Sequence, residues 1–355
     1  MHVGLCAFFQ NLDGRHTDRE VWEHELAMAD LAEPLGFDSV WAAEHHVTDY
    51  DMCPNTTQFL TWVAARTKRA LLGSMIIVLP WHDPLRVAEE LSVLDHVSRG
   101  RAILGIGRGL GRVEFEAFRA PMAESRPRFN EYAEALLEGL ESGFIEYDGT
   151  VYRQPRAAIR PRPFRSFRGR TYAAAVSPET AKILCRLGIG MLIIAQKPWE
   201  TTLRELADYR QTFHEVNGVD APAPVLATWI ACHEDEERAR ELLHDHLYRY
   251  SRSVLDHYEF HDGELAKIPG YEYYGALAAN IAKHGRDRFV SFLADLQIWG
   301  TPDQVYEKIR EHRRLVGNDT LVGVFSYGGM AHDEARRNLH LFAERVLPRL
   351  KQDAA

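Results

Sequence analysis

The sequence has little of what marks a nucleic-acid binder, a disulfide-bonded secreted protein or a membrane span. Its formal net charge is −9, so the molecule as a whole does not attract nucleic acid or an anionic membrane. Four cysteines, Cys6, Cys53, Cys185 and Cys232, are scattered without a CxxC pair. That excludes a dense disulfide frame or a cysteine zinc cluster and fits reduced thiols in the cytoplasm. No run of ~18 apolar residues occurs, so no membrane-spanning helix is expected. The opening MHVGLCAFFQNLDGRHTD is apolar only briefly and lacks a basic start, and it does not read as a signal peptide. No GxGxxG turn follows the first apolar run, and GxSxG and HExxH are absent. These absences count against a dinucleotide fold, a serine hydrolase of the elbow type and a zinc protease.

What is present is core. The chain has 355 residues, 46% hydrophobic and 26% charged, the balance of a soluble globular protein, and residues 1–355 are expected to form one domain. Short β-type runs fall at residues 3–9, 38–43, 71–80, 102–107, 171–176, 190–195, 225–232 and 320–327, with helical patterns between them. Near-continuous apolar runs predict a parallel sheet buried on both faces. Eight such units predict a closed (β/α)₈ TIM barrel, with an open doubly wound sheet as the alternative. Asp148-Gly149 predicts a hairpin, and residues 248–299 read as an insertion carrying two helices.

In such a barrel, chemistry gathers where strands end, and there the runs stop abruptly at polar side chains. Glu44-His45-His46 follow the second run, Trp81-His82-Asp83 the third, Arg108 the fourth, Ser177 the fifth and Tyr327-Gly328-Gly329 the eighth. Ser177 and Thr180, three apart at a helix start, suit an anion at unpaired backbone amides, and Arg108 would add a guanidinium fork. An ordinary helix cap at Ser177 with Arg108 in an ion pair explains the same residues equally well. The Gly328-Gly329 loop is a rival phosphate site. Adjacent His45 and His46 on extended chain would point apart, which disfavours a shared metal ion.

The phrases AEHH, VLPWHDPLRVAEE and SRGRAILGIGRG, with the tail WGTPDQVYEKIREHRR, closely resemble the flavin-dependent luciferase-like monooxygenases. The resemblance implies a barrel that holds reduced FMN, supplied by a flavin reductase, and forms a flavin C4a-hydroperoxide with O₂. The substrate would be a small organic compound, such as an aldehyde or related apolar molecule. It assigns Arg108, Ser177 and Thr180 to the FMN phosphate and His45 to catalysis, with Glu44 beside it. Glu114 falls near the isoalloxazine, and Met75-Ile76 at a non-prolyl cis peptide. Val176 replaces an acidic residue next to the phosphate serine, and Gly107 stands where the luciferase α chain has a reactive cysteine. Both departures count against light emission.

Trp81, His82 and Gly107 are assigned to the substrate pocket, with walls from Trp299 and Tyr271-Tyr273-Tyr274 and a lid from the insertion. A homodimer is expected. Two alternatives remain, an F420-dependent hydride-transfer oxidoreductase and a non-catalytic flavin-binding partner subunit. Residues 153–170 hold seven arginines and no acid, a strip suited to steering an anion, docking a reductase or simply facing solvent.

Overall fold

A computed structural model describes residues 1–174 and 178–353, the side chains of 178–180 excepted. Eight parallel strands form the barrel: β1 (His2–Ala7), β2 (Ser39–Ala42), β3 (Leu71–Ser74), β4 (Ala102–Gly107), β5 (Thr171–Ala174), β6 (Gly190–Ile194), β7 (Val225–Cys232) and β8 (Thr320–Val324). Each pairs with the next in order. β8 pairs back onto β1, with His2 opposite Thr320, and closes the barrel. The (β/α)₈ expectation holds. β2, β4 and β7 are buried along their whole length, as strands covered on both faces must be.

One large residue shows how the strands fit together. Trp41 is fully buried on β2, and its indole donates to Ser39 Oγ at 2.7 Å. Both neighbouring strands place glycine beside it: a Cβ on Gly4 or Gly73 would come within 2.6 or 2.2 Å of the ring. A side chain at either position could not share that space.

Helices α1 (Asp18–Ala32), α2 (Thr56–Arg66), α3 (Pro84–Val97), α4 (Arg112–Ala117), α5 (Ser125–Ser142), α6 (Pro178–Leu187) and α7 (Trp199–Asn217) follow the first six strands. Between β7 and β8 come α8 (Glu236–Leu242), α9 (Tyr248–His257), α10 (Tyr273–His284), α11 (Arg286–Asp295) and α12 (Pro302–Val316), and α13 (His332–Arg345) follows β8. The insertion therefore holds three helices, α9, α10 and α11, where two were expected. Gly285, with φ +90°, separates α10 from α11 at a backbone conformation that other residues rarely adopt.

The third apolar run is also interrupted. β3 ends at Ser74, the Met75–Ile76 peptide is cis, and a short strand, Ile77–Val78, resumes beside Ile106 and Gly107.

The expected hairpin forms between Phe144–Asp148 and Arg153–Ala158. The arginine-rich segment runs from it to the start of β5, at the opposite end of the barrel from the strand C-termini. Arg170 binds buried Asp95 through both carboxylate oxygens at 2.6 and 2.9 Å, and it caps the Ala102 carbonyl. Arg156 and Arg168 face Glu146 and Glu141. All four cysteines are buried and unbridged. No described helix is long and apolar enough to cross a membrane.

Candidate active site

The loop after β2 delivers Glu44 into a nearly closed space. One oxygen, Oε1, lies 2.9 Å from His46 Nε2 and 2.6 Å from His82 Nε2. The other accepts the Val78 N–H at 2.8 Å. Burial alone would raise this carboxyl, but hydrogen bonds from His46, His82 and Val78 outweigh it and hold the group below the usual carboxylate value. For His82, burial works toward neutrality, and contact with Glu44 overrides it and raises the imidazole.

Glu114, in the first turn of α4, forms a second hub and is 1% exposed. Its Oε1 accepts the His46 backbone N–H at 2.9 Å and lies 3.0 Å from His45 Nδ1. Neighbouring His45 and His46 thus part toward different carboxylates, as their places on extended chain predict. His257, the last residue of α9, brings its Nε2 to 3.6 Å from Glu114 Oε2, just beyond hydrogen-bond range.

Burial of Glu114 is opposed first by the charge of His45 and then by the nearby His257 imidazole and the His45 Nδ1 contact, and the carboxyl falls to about 2. Burial of His45 is outweighed by Glu114, and that imidazole is raised. For His257, burial together with the neighbouring His45 charge prevails over Glu114 and lowers it. One carboxylate therefore faces one imidazole that it favours in the protonated form and another that burial pushes toward the neutral form.

His45 Nε2 looks toward Tyr258 Oη at 3.5 Å, and the ring stands edge-on to Tyr50 at 4.8 Å. The ligand atoms of His45, Glu114 and His257 lie within 4.8 Å of one another, the one such group found among the described residues.

A cationic end lies at the loop after β4. Arg108 Nη1 donates to the Gly270 carbonyl at 2.8 Å, and its guanidinium covers the Tyr271 ring at 3.9 Å. Arg126 Nη2 reaches the same carbonyl at 3.2 Å. Tyr271 is fully buried, and its hydroxyl donates to the Gly109 carbonyl at 2.9 Å. Two guanidinium groups converging on one oxygen fit a multiply charged anion such as a phosphate. Val176 and Ser177 lie outside the described residues, as does the side chain of Thr180. At the rival loop, the Gly328 amide is already taken by Gln10 Oε1 at 2.7 Å.

A cavity of about 480 Å³ opens between the end of β6 and helices α7, α10 and α11. Phe260, Tyr274, Leu277 and Phe289 form apolar walls, with Lys197 and Glu205 at one side. The rings of Tyr258, Phe260 and Tyr274 stack in succession, 5.4 Å apart at each step, and link this cavity to the surroundings of His45.

Trp81, His82 and Gly107 do not line it. Trp81 packs on Phe115 and Phe118, His82 is held by Glu44, and a Cβ on Gly107 would meet Ile76 Cδ1 at 1.8 Å. The space beside Gly107 is thus filled by the Ile76 side chain. Tyr273 and Tyr274 line the cavity as expected, whereas Tyr271 packs under Arg108. Trp299 lies half-buried beneath Lys308.

Sequence reasoning missed His257, Tyr258, Arg126 and Tyr50. The crowding of histidine and tyrosine in residues 244–261 was the available signal.

A family model described as luciferase-like monooxygenase matches residues 1–319. The alkanal monooxygenase alpha chain of Photobacterium leiognathi is 27% identical over 355 residues, covering 98% of each chain. The crystal structure of monooxygenase RslO1 from Streptomyces bottropensis superposes with a TM-score of 0.79 at 27% identity, covering 98% of this chain and 99% of that one. Two structures at lower identity share the fold. The oxygenating constituent of 3,6-diketocamphane monooxygenase from Pseudomonas putida, in complex with FMN, has a TM-score of 0.73 at 18% identity over 99% of this chain and 98% of that one. An F420-dependent secondary alcohol dehydrogenase has a TM-score of 0.72 at 16% identity over 98% of both chains.

Proposed function

The chain belongs to the luciferase-like monooxygenase family, and from that premise we propose that it uses reduced FMN and O₂ to oxygenate a small apolar organic compound, such as an aldehyde. Reduced flavin, once bound, would supply two electrons to O₂, one oxygen atom entering the substrate and the other leaving as water. A flavin reductase supplies the cofactor, and the enzyme works as a cytoplasmic homodimer.

The observation that carries this reading is the pairing of His45 with buried Glu114, on the same barrel face as the convergent pair Arg108 and Arg126. The guanidinium groups suit the phosphate end of the flavin, with Ser177 and Thr180 as further ligands. His45 holds a proton while Nδ1 stays tied to Glu114, which leaves Nε2 to exchange it with reacting oxygen. Glu44 fixes His46 and His82 around this group. Apolar walls at the cavity keep water from the reacting atoms.

Equilibrium titration with FMNH₂ and with F420 in anaerobic buffer tests the proposal, followed by ¹⁸O₂ and mass analysis of an alkanal probe. Tight FMNH₂ binding and one labelled oxygen in the product are expected. Arg108→Ala should weaken FMNH₂ strongly, and His45→Ala should spare binding while slowing turnover by about 10²–10⁴. Tight F420 binding without oxygen uptake would contradict the proposal.

A further inference from the structure

His257 has no place in the assignments made so far. It enters from α9, more than 200 residues after His45 in the chain, and its side chain is 4% exposed. We infer that His257 is a positioning residue for His45, acting through the carboxylate of Glu114 that the two imidazoles share. This role presupposes His45 as the acid–base group proposed above.

The carboxylate is bounded on every side that matters. Oε1 is committed to the His46 amide and His45 Nδ1 at 2.9 and 3.0 Å. Oε2 faces His257 Nε2 at 3.6 Å. Beneath Oε2 lies Gly111, where a Cβ would stand 2.1 Å from that oxygen and 3.3 Å from His257 Nε2. His257 and the Gly111 backbone therefore crowd the Oε2 side of the carboxylate, against a rotation about its axis that would withdraw Oε1 from His45.

His257 is itself fixed. Its ring stacks on Tyr50 at 4.2 Å and 8°, and Nδ1 lies 3.4 Å from Thr48 Oγ1. Glu259, two residues on, binds Arg112 through both oxygens at 2.8 and 2.6 Å, tying the end of α9 to the start of α4. The same turn sets Tyr258 Oη beside His45 Nε2. The helix end thus borders His45 from two directions, through Glu114 at Nδ1 and with the Tyr258 hydroxyl 3.5 Å from Nε2.

His257 Nε2 is buried and has no hydrogen-bond partner, an arrangement that proteins seldom leave without a reason. A short closure toward charged Glu114 would satisfy it and stabilise the anion. Orientation of a functional histidine by a carboxylate that is itself oriented by a further donor is a known way to hold a reactive group within its working geometry.

Two substitutions separate the N–H from the ring. His257→Phe keeps an aromatic ring on Tyr50 and removes the donor, and His257→Gln returns a donor. The first readout is the rate constant for reoxidation of bound FMNH₂ by O₂ with decanal as probe, measured beside the FMNH₂ dissociation constant. The second needs no flavin: the low-field ¹H resonance of the His45 Nδ1–H proton, assigned by its loss in His45→Gln. We expect His257→Phe to slow reoxidation on the order of tenfold, to leave FMNH₂ affinity unchanged, and to shift or abolish the resonance. His257→Gln should restore both, with equal thermal midpoints for all three proteins.

An unchanged rate and resonance in His257→Phe would overturn the inference. So would loss of thermal stability that His257→Gln does not recover. Stoichiometric Co²⁺ uptake with tetrahedral ligand-field bands, abolished in His257→Phe, would overturn it in favour of a metal site. If the resonance responds to His257→Phe but His45→Gln turns over normally, the clamp stands and the acid–base reading of His45 falls.

Discussion

Glu25 and Glu114 are buried alike, at 3% and 1% exposure, yet they end in opposite charge states. Burial pushes the Glu25 carboxyl up to about 8, whereas Glu114 is held at about 2. Both have a histidine within 4 Å, so proximity to imidazole does not decide the matter. The difference is whether that imidazole can carry a proton.

His45 has Glu114 on one side, with the charges of Asp51 and Glu44 beyond it, and it is raised against its burial. His24, beside Glu25, stacks face to face on His332 at 3.8 Å, and His332 stacks on His16 at 4.8 Å. Burial first, then the charges of His332, Arg336 and His16, push His24 down to about 3. Glu25 is left with the Ser326 hydroxyl and the Phe8 amide, the latter at 3.3 Å, which together offset only part of its desolvation. Asp51 lies between the two: the His45 charge and then the amides of Phe9 and Cys53 on one oxygen oppose burial, but the other oxygen has no partner, and burial lifts the carboxyl to about 7. Neutral donors, and at Asp51 an imidazole charge acting without a hydrogen bond, do not offset burial. A raised imidazole in direct contact, as at Glu114, does.

His45→Ala should break the contrast most strongly. It strands the Glu114 charge, and urea unfolding at pH 7 should show a loss of about 3 kcal/mol, the low end for a broken buried pair because His45 is partly exposed. Glu114→Gln keeps the shape and removes the charge. His45 then loses the partner that raised it, and steady-state oxidation of FMNH₂ should slow roughly a hundredfold.

The pH dependence sharpens the contrast, because the two glutamates act with opposite sign. A depressed group such as Glu114 stabilises the fold above its unfolded value of 4.5, and that stability is lost as pH falls toward about 2. A raised group such as Glu25 favours the fold below 4.5, and that advantage is lost as pH rises through about 8. Glu25→Gln should therefore match wild type at pH 4.5 and exceed it at pH 9 by roughly 2 kcal/mol in denaturant unfolding. The smallest effect belongs to His332→Ala. It removes the second cause of His24 depression and leaves burial, so the stability lost as pH falls from 6.5 toward about 3 should shrink by about 0.5 kcal/mol.

The barrel was legible because strands covered on both faces must be apolar throughout, and runs such as AILGIG and VLATWIAC have no other use. The break after Ser74 was not, since Met75 and Ile76 are as apolar as their neighbours and only family resemblance marked them. The Glu44-His45-His46 loop was legible because three ionisable side chains end an apolar strand at once. Arg126 was not, because it is brought in from a distant element by packing that no local pattern announces. For His257, the crowding of histidine and tyrosine around it marked the segment but not its partner Glu114. Trp81, His82 and Gly107 have types that suit a pocket, and in the structure Phe118, Glu44 and Ile76 lie beside them.

The most direct test is a residue-resolved ¹⁵N titration of the His45 imidazole in wild type and in Glu114→Gln. Wild-type His45 should hold its proton to a pH above the ordinary histidine value, and the variant should release it well below the wild-type midpoint. A wild-type midpoint under the ordinary value, or one that Glu114→Gln leaves in place, would contradict the account.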